Sequence, residues 1–298
     1  MSFAVRYFEF GDPDVLRVVE VDEPHAGPGE VRVAVRAAGV NNYDAKVRAG
    51  GYGPPRSLPS GQGFEFAGVV DEVGEGVTDI SPGEEVLGFT SFAAQAEFVV
   101  VNASNVAHKP AALDWAVAGG IGLVANAARR STDSLALTDH DVVLITAAAG
   151  GVGLLATQFA LAIGATVVGT ASVENHDFLR TLGAIPVAYG DGELERLRAA
   201  APGGFTAMLD NSGSVPLGVD LGIRLARINS IVDYDTIGIG NVGGGRKNRA
   251  ELEELATAVS TGDLVFPLLA TYPLARVADA YRRLERHSGL GKIVLTVP

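Results

Sequence analysis

The sequence predicts an α/β protein with a β-rich, barrel-like part and a doubly wound parallel sheet covered by helices. Between Met1 and about Ala112, short alternating runs are separated by turns rich in Gly and Pro, which is typical of a compact barrel-like set of strands. From Leu113 onward, strand-like runs alternate with segments of helical spacing, which indicates parallel β-α-β units. With 298 residues, the chain is long enough for both parts.

The strands of the first part are predicted from alternation of apolar and polar residues between turn clusters. In the run 31–37 the alternation is strict, so we expect one buried face, with Arg32 and Arg36 directed to water. The predicted strands of this part are 4–10, 16–21, 31–37, 67–74, 85–89 and 96–101.

In the second part, short β-branched runs indicate buried parallel strands, and a helix is expected to end at Gly183. The predicted strands are 142–145, 166–170, 185–189, 206–210 and 229–232, and the predicted helices are 114–120, 125–131, one from about 154, 175–183, 249–260 and 274–285. A last strand, 291–297, is expected to return to the first part.

A glycine-rich turn directly follows the strand 142–145. It reads Thr-Ala-Ala-Ala-Gly-Gly-Val-Gly and leads into a helical segment. Glycines allow the backbone to approach a ligand closely, and the helix start offers unpaired N–H groups and a positive dipole end. The strand–turn–helix order therefore predicts a dinucleotide site whose pyrophosphate contacts are Ala149, Gly150, Gly151, Val152 and Gly153.

Composition excludes several classes of protein. A net charge of −12 argues against a nucleic-acid partner. The absence of cysteine excludes disulfides, thiolate zinc sites and a Cys nucleophile, and fits a reducing cytoplasm. No apolar run reaches the ~18 residues of a membrane span, and the N-terminus lacks the pattern of a signal peptide. We expect a cytoplasmic protein that acts on a small molecule.

Motifs along nearly the whole chain resemble one enzyme family. They are Gly27-Pro28-Gly29-Glu30-Val31, Ala38-Gly39-Val40-Asn41, Asp44, Gly68-Val69-Val70, Val73-Gly74, the turn 147–153, Leu182-Gly183-Ala184 and Gly291-Lys292-Ile293-Val294-Leu295. Together they resemble a zinc-free medium-chain dehydrogenase/reductase of the NADPH:quinone oxidoreductase type. The resemblance implies a GroES-like catalytic domain (1–112 and 262–298), a Rossmann domain (113–261) and an active site in the cleft between them. It also implies a homodimer joined near residues 237–243.

The resemblance also bears on metal binding. Zinc-dependent relatives carry a catalytic Cys where this chain has Asn41, and Gly-His-Glu where it has Gly63-Phe64-Glu65. Zinc needs lone pairs from thiolate or imidazole, which Phe64 does not offer. The five histidines are too scattered for ligand spacing. We therefore predict no metal site.

The nucleotide is predicted to be NADPH. NAD sites usually place Asp or Glu about 20 residues after the glycines, to bind the ribose 2′-OH. Here the second strand of the sheet ends without a carboxylate, at Thr170 and Ser172, although Glu174 follows and no base comes before Arg180. The candidate contacts to phosphate and adenine are Thr170, Ser172, Asn175, His176 and Tyr189. An exposed first-turn residue is an equally good account of His176, and strand-end packing is a second account of Tyr189.

Further cofactor contacts follow from resemblance and from the ends of predicted strands. Asn126 occupies a position where relatives often have Thr near the nicotinamide. Loops at the carboxyl ends of strands bind ligands in doubly wound sheets. The candidates in such loops and in the closing motif are Asn211, Ser212, Val232, Asp233, Gly291 and Lys292.

Without a metal, hydrogen-bond donors must stabilise the negative charge that appears on an acceptor oxygen. The candidate catalytic residues are Asn41, Tyr43, Asp44, Lys46 and Tyr52, with Asp44 expected to orient its neighbours and Tyr43 considered as a proton donor. A solvated loop is a second account of Lys46. Phe89, Phe92 and Tyr52 are candidates for an apolar pocket, and core packing explains the two phenylalanines equally well.

Three functions are compatible with these residues. The first is an NADPH-dependent reductase of quinones or of the C=C of α,β-unsaturated carbonyl compounds. The second is an enoyl reductase or reductive cyclase that acts on a natural-product intermediate. The third is a non-catalytic NADPH-binding protein on the same fold, because fold alone does not determine function.

Overall fold

The computed structural model describes residues 1–51, 57–242, 248–286 and 289–298. The chain divides into two compact units. Unit 1 comprises residues 1–123, 247–288 and 292–298, and unit 2 comprises residues 124–246 and 289–291. Tyr52, predicted as a catalytic residue, lies outside the described residues.

The described residues form strands and helices in the following order. The strands are β1 (Ser2–Tyr7), β2 (Arg17–Val21), β3 (Glu30–Val40), β4 (Ser60–Gly61), β5 (Glu65–Val73), β6 (Glu85–Phe89), β7 (Phe98–Asn102), β8 (Val106–His108), β9 (Val142–Ile145), β10 (Thr166–Ala171), β11 (Ile185–Ala188), β12 (Ala207–Asp210), β13 (Ile228–Ser230), β14 (Leu268–Pro273) and β15 (Lys292–Thr296). The helices are α1 (Asn42–Arg48), α2 (Trp115–Ser134), α3 (Gly151–Ile163), α4 (His176–Leu182), α5 (Glu193–Ala200), α6 (Val215–Asp220), α7 (Arg249–Thr261) and α8 (Val277–Leu284).

Unit 1 contains the β-rich part. Its larger sheet has the order β14-β15-β3-β5-β6-β8, with β7 also pairing with β3, and a smaller sheet has the order β2-β1-β4. The strict alternation of β3 buries Val31, Val33 and Val35, and each buried valine contributes about 1.5–3 kcal/mol. The last strand pairs antiparallel with β3, so that Ile293 lies opposite Val40. The prediction that this strand returns to the first part is confirmed.

Unit 2 contains the parallel sheet, in the order β11-β10-β9-β12-β13. All four neighbouring pairs in it are parallel. The central strand β9 places Val143, Leu144 and Ile145 fully inside, as expected for a strand covered on both faces. The predicted doubly wound sheet is therefore confirmed, and the carboxyl ends of its strands lie along one edge.

Helix α2 differs from the prediction. The sequence predicts two helices, 114–120 and 125–131, with an interruption at 121–124, whereas the structure has one continuous helix from Trp115 to Ser134. A Cβ at Gly119 would lie 2.5 Å from the Cβ of Ala37, and one at Gly120 would lie 2.6 Å from Val294. These glycines permit close packing of the helix on the sheet, so they do not mark its end.

The domain limits also differ. The structure places residues 113–123 and helix α7 in unit 1, whereas the sequence prediction assigns 113–261 to the nucleotide-binding domain. Helix α7 packs against β8 of unit 1, a long-range contact that no local pattern reports. Among the described residues, no helix is long and apolar enough to cross a membrane.

Candidate active site

The glycine turn forms the start of helix α3. Gly150 is the N-cap, and no side chain caps this helix terminus. A Cβ on Gly153 would lie 2.3 Å from the carbonyl oxygen of Ala147, so only glycine fits there. Ala147 has a positive φ of 48°, a strained conformation that is common at ligand sites. The turn thus presents backbone N–H groups without a side chain in front of them, which suits a pyrophosphate.

Asp210, at the end of β12, accepts hydrogen bonds from residues at the ends of β9 and β13 in unit 2. Its Oδ1 accepts hydrogen bonds from Thr146 Oγ1 (3.0 Å) and from the backbone N–H groups of residues 212–214, and its Oδ2 accepts one from Ser230 Oγ (2.7 Å). Asn211 donates from its backbone to Thr146 Oγ1 at 2.8 Å. The predicted contacts Asn211 and Ser212 are therefore held in a defined loop. Asp210 was not predicted, although an Asp before Asn-Ser-Gly-Ser is a turn signal.

The ends of β10 and β11 are adjacent because Ala171 pairs with Ala188. Ser172 Oγ accepts a hydrogen bond from Asn175 Nδ2 at 2.9 Å, and a ring nitrogen of His176 lies 3.2 Å from the Ala171 carbonyl oxygen. Tyr189 is 55% exposed at the end of β11, so strand-end packing does not bury it. These polar groups lie at one edge of the sheet.

A cation, Arg196, also lies at this edge, because it donates to the last residue of β11. The guanidinium of Arg196 donates to the carbonyl oxygens of Ala188 (2.8 Å) and Asp191 (2.7 Å). Thr170 lies inside the sheet, where its Oγ1 accepts a hydrogen bond from the Ala147 backbone at 3.3 Å. Thr170 therefore supports the glycine turn.

Three other predicted contacts are Val232 and Asp233, which follow β13, and Gly291 of the closing motif. The backbone N–H groups of Val232 and Asp233 donate to Ser230 Oγ at 3.2 and 2.9 Å. The carboxylate of Asp233 accepts from Thr236 Oγ1 at 2.7 Å, and such bonds lower its pKa. The N–H of Gly291 donates to the Ala149 carbonyl oxygen at 3.0 Å, so the closing motif touches the glycine turn. Asn126 lies half-buried on α2.

In unit 1, a buried polar cluster surrounds the start of helix α1. Asn41 and Asp44 form a capping box in which the Asn41 N–H donates to Asp44 Oδ2 at 3.0 Å. The carboxamide of Asn41 is also engaged, because its Nδ2 donates to Glu65 Oε1 at 3.0 Å. The geometry makes Asn41 part of an internal network. Its predicted role toward the acceptor remains a prediction.

Lys292 supplies the positive charge of this cluster. Its Nζ donates to Asn41 Oδ1 (2.5 Å) and to the carbonyl oxygen of Val40 (2.8 Å), and lies 2.9 Å from Glu65 Oε1. An ammonium has three N–H groups, so these acceptors satisfy all of them. The other oxygen of Glu65 accepts from the Leu123 backbone at 2.6 Å. The predicted contact of Lys292 with the cofactor remains a prediction. Glu65, which the sequence analysis considered only as a metal ligand, is the counter-ion of Lys292.

Asp44 connects the cluster to a second buried pair. Tyr281 donates from its hydroxyl to Asp44 Oδ2 at 3.1 Å and accepts from Gln95 Nε2 at 2.8 Å. Burial raises the pKa of Asp44 to about 7, with Glu65 adding to this effect and Lys292 opposing it. Burial and the nearby Asp44 carboxyl also raise the pKa of Tyr281. Asp44 and Glu65 thus share one buried cation, Lys292, and the pKa of Asp44 lies close to neutral pH.

An aromatic cluster lies next to this polar one. The ring of Phe64 lies 5.0 Å from that of Tyr43 and 4.3 Å from that of Phe92, measured between centroids. Phe89 is buried and would meet a Cβ on Gly122 of α2 at 3.0 Å, so it packs in the core. Lys46 is exposed on the surface of α1.

The cluster does not fit a zinc ion. Phe64 has no lone pair, and the Glu65 oxygens already accept from Lys292, Asn41 and Leu123. Asn41 is likewise committed to Lys292. In the part of the chain that the structure describes, no group of His, Cys, Asp and Glu is arranged as metal ligands.

Comparisons with known proteins agree with this fold. The zinc-binding dehydrogenase family matches residues 129–295, and the alcohol dehydrogenase GroES-like domain matches residues 27–138. A quinone oxidoreductase of Pseudomonas aeruginosa is 31% identical over 99% of both chains. The chain belongs to the quinone oxidoreductase-like, zinc-free medium-chain dehydrogenases/reductases. The predicted family, two-part fold class and oxidoreductase class are thereby confirmed.

Further similar proteins differ in the activities that their names state. An NADPH-dependent alkenal/one oxidoreductase of Arabidopsis thaliana is 30% identical over 97% of this chain and 78% of its own. The polyketide synthase GfsB of Streptomyces halstedii is 33% identical over 91% of this chain, which spans only 5% of that synthase.

Solved structures of quinone oxidoreductases resemble the chain over almost its full length. The Coxiella burnetii enzyme has a TM-score of 0.90 and 29% identity, and covers 100% of this chain and 99% of its own. The Escherichia coli enzyme, solved in complex with NADPH, has a TM-score of 0.88 and 26% identity, with 99% of both chains covered.

Proposed function

We propose that the protein uses NADPH to reduce a quinone or the C=C of an α,β-unsaturated carbonyl compound. The observation that carries this proposal is the Lys292–Glu65–Asn41 cluster. In it, the side-chain oxygens that a zinc ion would need as ligands already accept hydrogen bonds within the protein. Negative charge on the acceptor oxygen must then be stabilised by hydrogen-bond donors and buried charge. Quinones and enones suit such a site because the nucleotide carries most of the chemistry.

NADPH is the proposed cofactor. The glycine turn fits its pyrophosphate, and β10 ends at Thr170 and Ala171 where NAD sites usually have Asp or Glu. Ser172 and Tyr189 directly follow the ends of β10 and β11. NADPH supplies a hydride when bound, and the acceptor gains that hydride and one proton to become a hydroquinone or a saturated carbonyl compound. The similar Escherichia coli structure holds NADPH.

Among the residues of this chain, Tyr43 is the proposed donor to the acceptor oxygen. It lies half-buried on α1, two residues after Asn41. The Nδ2 of Asn41 donates to Glu65 and Asp44. A phenol is both a hydrogen-bond donor and a proton source, so it suits an oxygen that gains negative charge. Asp44 and Lys292 act by fixing the start of α1.

Consumption of NADPH in the presence of ortho- and para-quinones and of linear and cyclic enones tests the proposal. We expect rapid loss of nicotinamide absorbance with at least one of these acceptors, and slower loss with NADH. Tyr43→Phe should lower kcat for that acceptor by about 10²-fold, as is typical for loss of a general acid. Binding of NADPH without turnover of any acceptor would contradict the proposal.

A second candidate is an enoyl reductase for a carrier-bound natural-product intermediate. The similarity to the polyketide synthase GfsB over 91% of this chain favours it. An unsaturated acyl thioester separates the two functions. Faster turnover of the thioester than of any free quinone or enone would favour the second candidate.

We further propose that the protein is a homodimer. The segment after β13, the last strand of the parallel sheet, exposes Ile237 (92%) and Tyr234 (48%), and Leu225 (39%) is exposed just before β13. Gly240 pairs with β13, so the proposal rests on these exposed apolar side chains, which are typical of interaction sites. Of the predicted interface 237–243, residue 243 lies outside the described residues.

A further inference from the structure

Phe64 occupies an unusual place in unit 1. Its neighbours Gly63 and Glu65 are buried, whereas Phe64 is only half-buried. Its ring meets Tyr43 at an interplanar angle of 70° and Phe92 at 64°. Such edge-to-face pairs are stable aromatic arrangements, so Phe64 is held between two rings while part of its surface stays accessible.

The backbone around Phe92 is built to maintain this contact. Phe92 has a positive φ of 59°, which is unfavourable for a bulky residue. A Cβ on Gly61 would lie 2.1 Å from the Phe92 carbonyl oxygen, so that glycine permits the close approach of the two segments. The N–H of Thr90 donates to the Phe64 carbonyl oxygen at 2.9 Å, and that of Ala93 donates to Gly63 at 3.1 Å. Strain and hydrogen bonds therefore fix the Phe92 ring against Phe64.

The acceptor must lie near Tyr43 if Tyr43 is its donor. Because the Phe64 ring contacts the Tyr43 ring, an acceptor that is hydrogen-bonded to the Tyr43 hydroxyl lies close to the accessible part of Phe64. A planar conjugated ring gains stacking energy on such a surface, whereas a flexible linear chain gains less.

We propose that Phe64 is a specificity-determining residue that favours aromatic-ring acceptors such as naphthoquinones over linear enones. This inference rests on the proposed function, because it needs the acceptor beside Tyr43. It adds Phe64 to the site, whereas the sequence analysis considered Phe64 only as a residue that cannot bind zinc. Tyr43 and Phe92 act as its supports.

The test compares Phe64→Leu with wild type on a naphthoquinone and on a linear enone of equal carbon number. We expect KM for the naphthoquinone to rise about threefold to tenfold with little change in kcat, the range that one aromatic pair provides. KM for the linear enone should change less than about twofold. Phe8→Leu, a substitution of an exposed phenylalanine of the same unit, is the matched control and should change neither. Equal changes for both acceptors, or none, would overturn the inference.

A binding measurement separates this inference from the proposed function. Calorimetric titration of naphthoquinone into the protein saturated with NADP⁺ needs no turnover, and Phe64→Leu should raise Kd about threefold to tenfold. Phe64→Tyr keeps the ring and should keep the wild-type Kd. An unchanged Kd in Phe64→Leu would refute the role of Phe64 even if the enzyme is active. A raised Kd in a protein that turns over no acceptor would instead refute the proposed function alone.

Discussion

Replacing Lys292 by methionine should strongly destabilise unit 1. The ammonium is the cation beside Glu65, which is 1% exposed, and it lies 2.9 Å from Glu65 Oε1. Without it, the Glu65 carboxylate keeps hydrogen bonds from Asn41 and Leu123 but loses its buried counter-ion. Removing one partner of a buried ion pair typically costs about 3–5 kcal/mol. We expect that loss in the free energy of unfolding, measured by urea denaturation at neutral pH.

A second buried lysine provides a matched control. Lys109 is as buried as Lys292 and also lies 2.9 Å from a carboxylate, but its partner Glu85 is 45% exposed. Water can solvate Glu85 when the cation is removed, so Lys109→Met should cost less than Lys292→Met by about 2 kcal/mol. The ring of Trp115, 4.4 Å from Lys109 Nζ, contributes part of the remaining cost.

The double variant Lys292→Met/Glu65→Gln decides whether charge is the cause. Glutamine keeps the shape of Glu65 but needs no counter-ion, so the double variant should recover about 2 kcal/mol of the loss. A single variant Lys292→Met that loses less than about 1 kcal/mol, or a double variant that is no more stable than the single one, would refute the assignment of Lys292 as the counter-ion.

Three further predictions concern other sites. Because the pKa of Asp44 in the folded protein is raised to about 7, the folded state binds more protons than the unfolded one, so the wild-type free energy of unfolding should fall as pH rises from about 4 to 7. Asp44→Asn should remove up to about 4 kcal/mol of that fall. If urea denaturation at several pH values gives the same pH dependence of the free energy of unfolding for wild type and Asp44→Asn, this prediction is wrong. Gly153→Val should abolish NADPH binding in fluorescence titration, because its Cβ would meet the Ala147 carbonyl oxygen at 2.3 Å, whereas Gly203→Val, with nothing within 4 Å, should bind normally. Ile237→Asp should shift the protein toward monomer in sedimentation velocity, whereas Val173→Asp, at another well-exposed apolar residue that is remote from β13 in sequence, should not. Monomeric wild type at micromolar concentration would refute the dimer.

Local patterns in the sequence were enough to predict much of the fold. The β-branched run of β9, the glycines after it and the helix beyond are consecutive, so their order alone specified the nucleotide turn. The alternation of apolar and polar residues in β3 likewise predicted its buried face, because this pattern is also local in the sequence. Motifs spread over the chain also indicated the family before any contact was known.

Three short helices, α1, α5 and α6, and the glycine-containing helix α2 were not predicted as the structure has them. Helix α1 has only seven residues and depends on the capping box of Asn41 and Asp44, and α5 and α6 are similarly short. Such helices are marginal by themselves and are stabilised mainly by packing. In helix α2, Ala37 and Val294 leave no room for a side chain at Gly119 and Gly120. These glycines therefore serve close packing and do not interrupt the helix.

The charged cluster was decided by tertiary structure alone. Lys292 is 251 positions from Asn41 in the chain, and Tyr281 is 237 positions from Asp44. Their contacts arise because β15 pairs with β3 and α8 packs against the same strand. The sequence by itself determined which residue types and local turns are available. The pairing of distant strands determined which of those residues share one buried charge, because desolvation and hydrogen bonding depend on distance in space and not on separation along the chain.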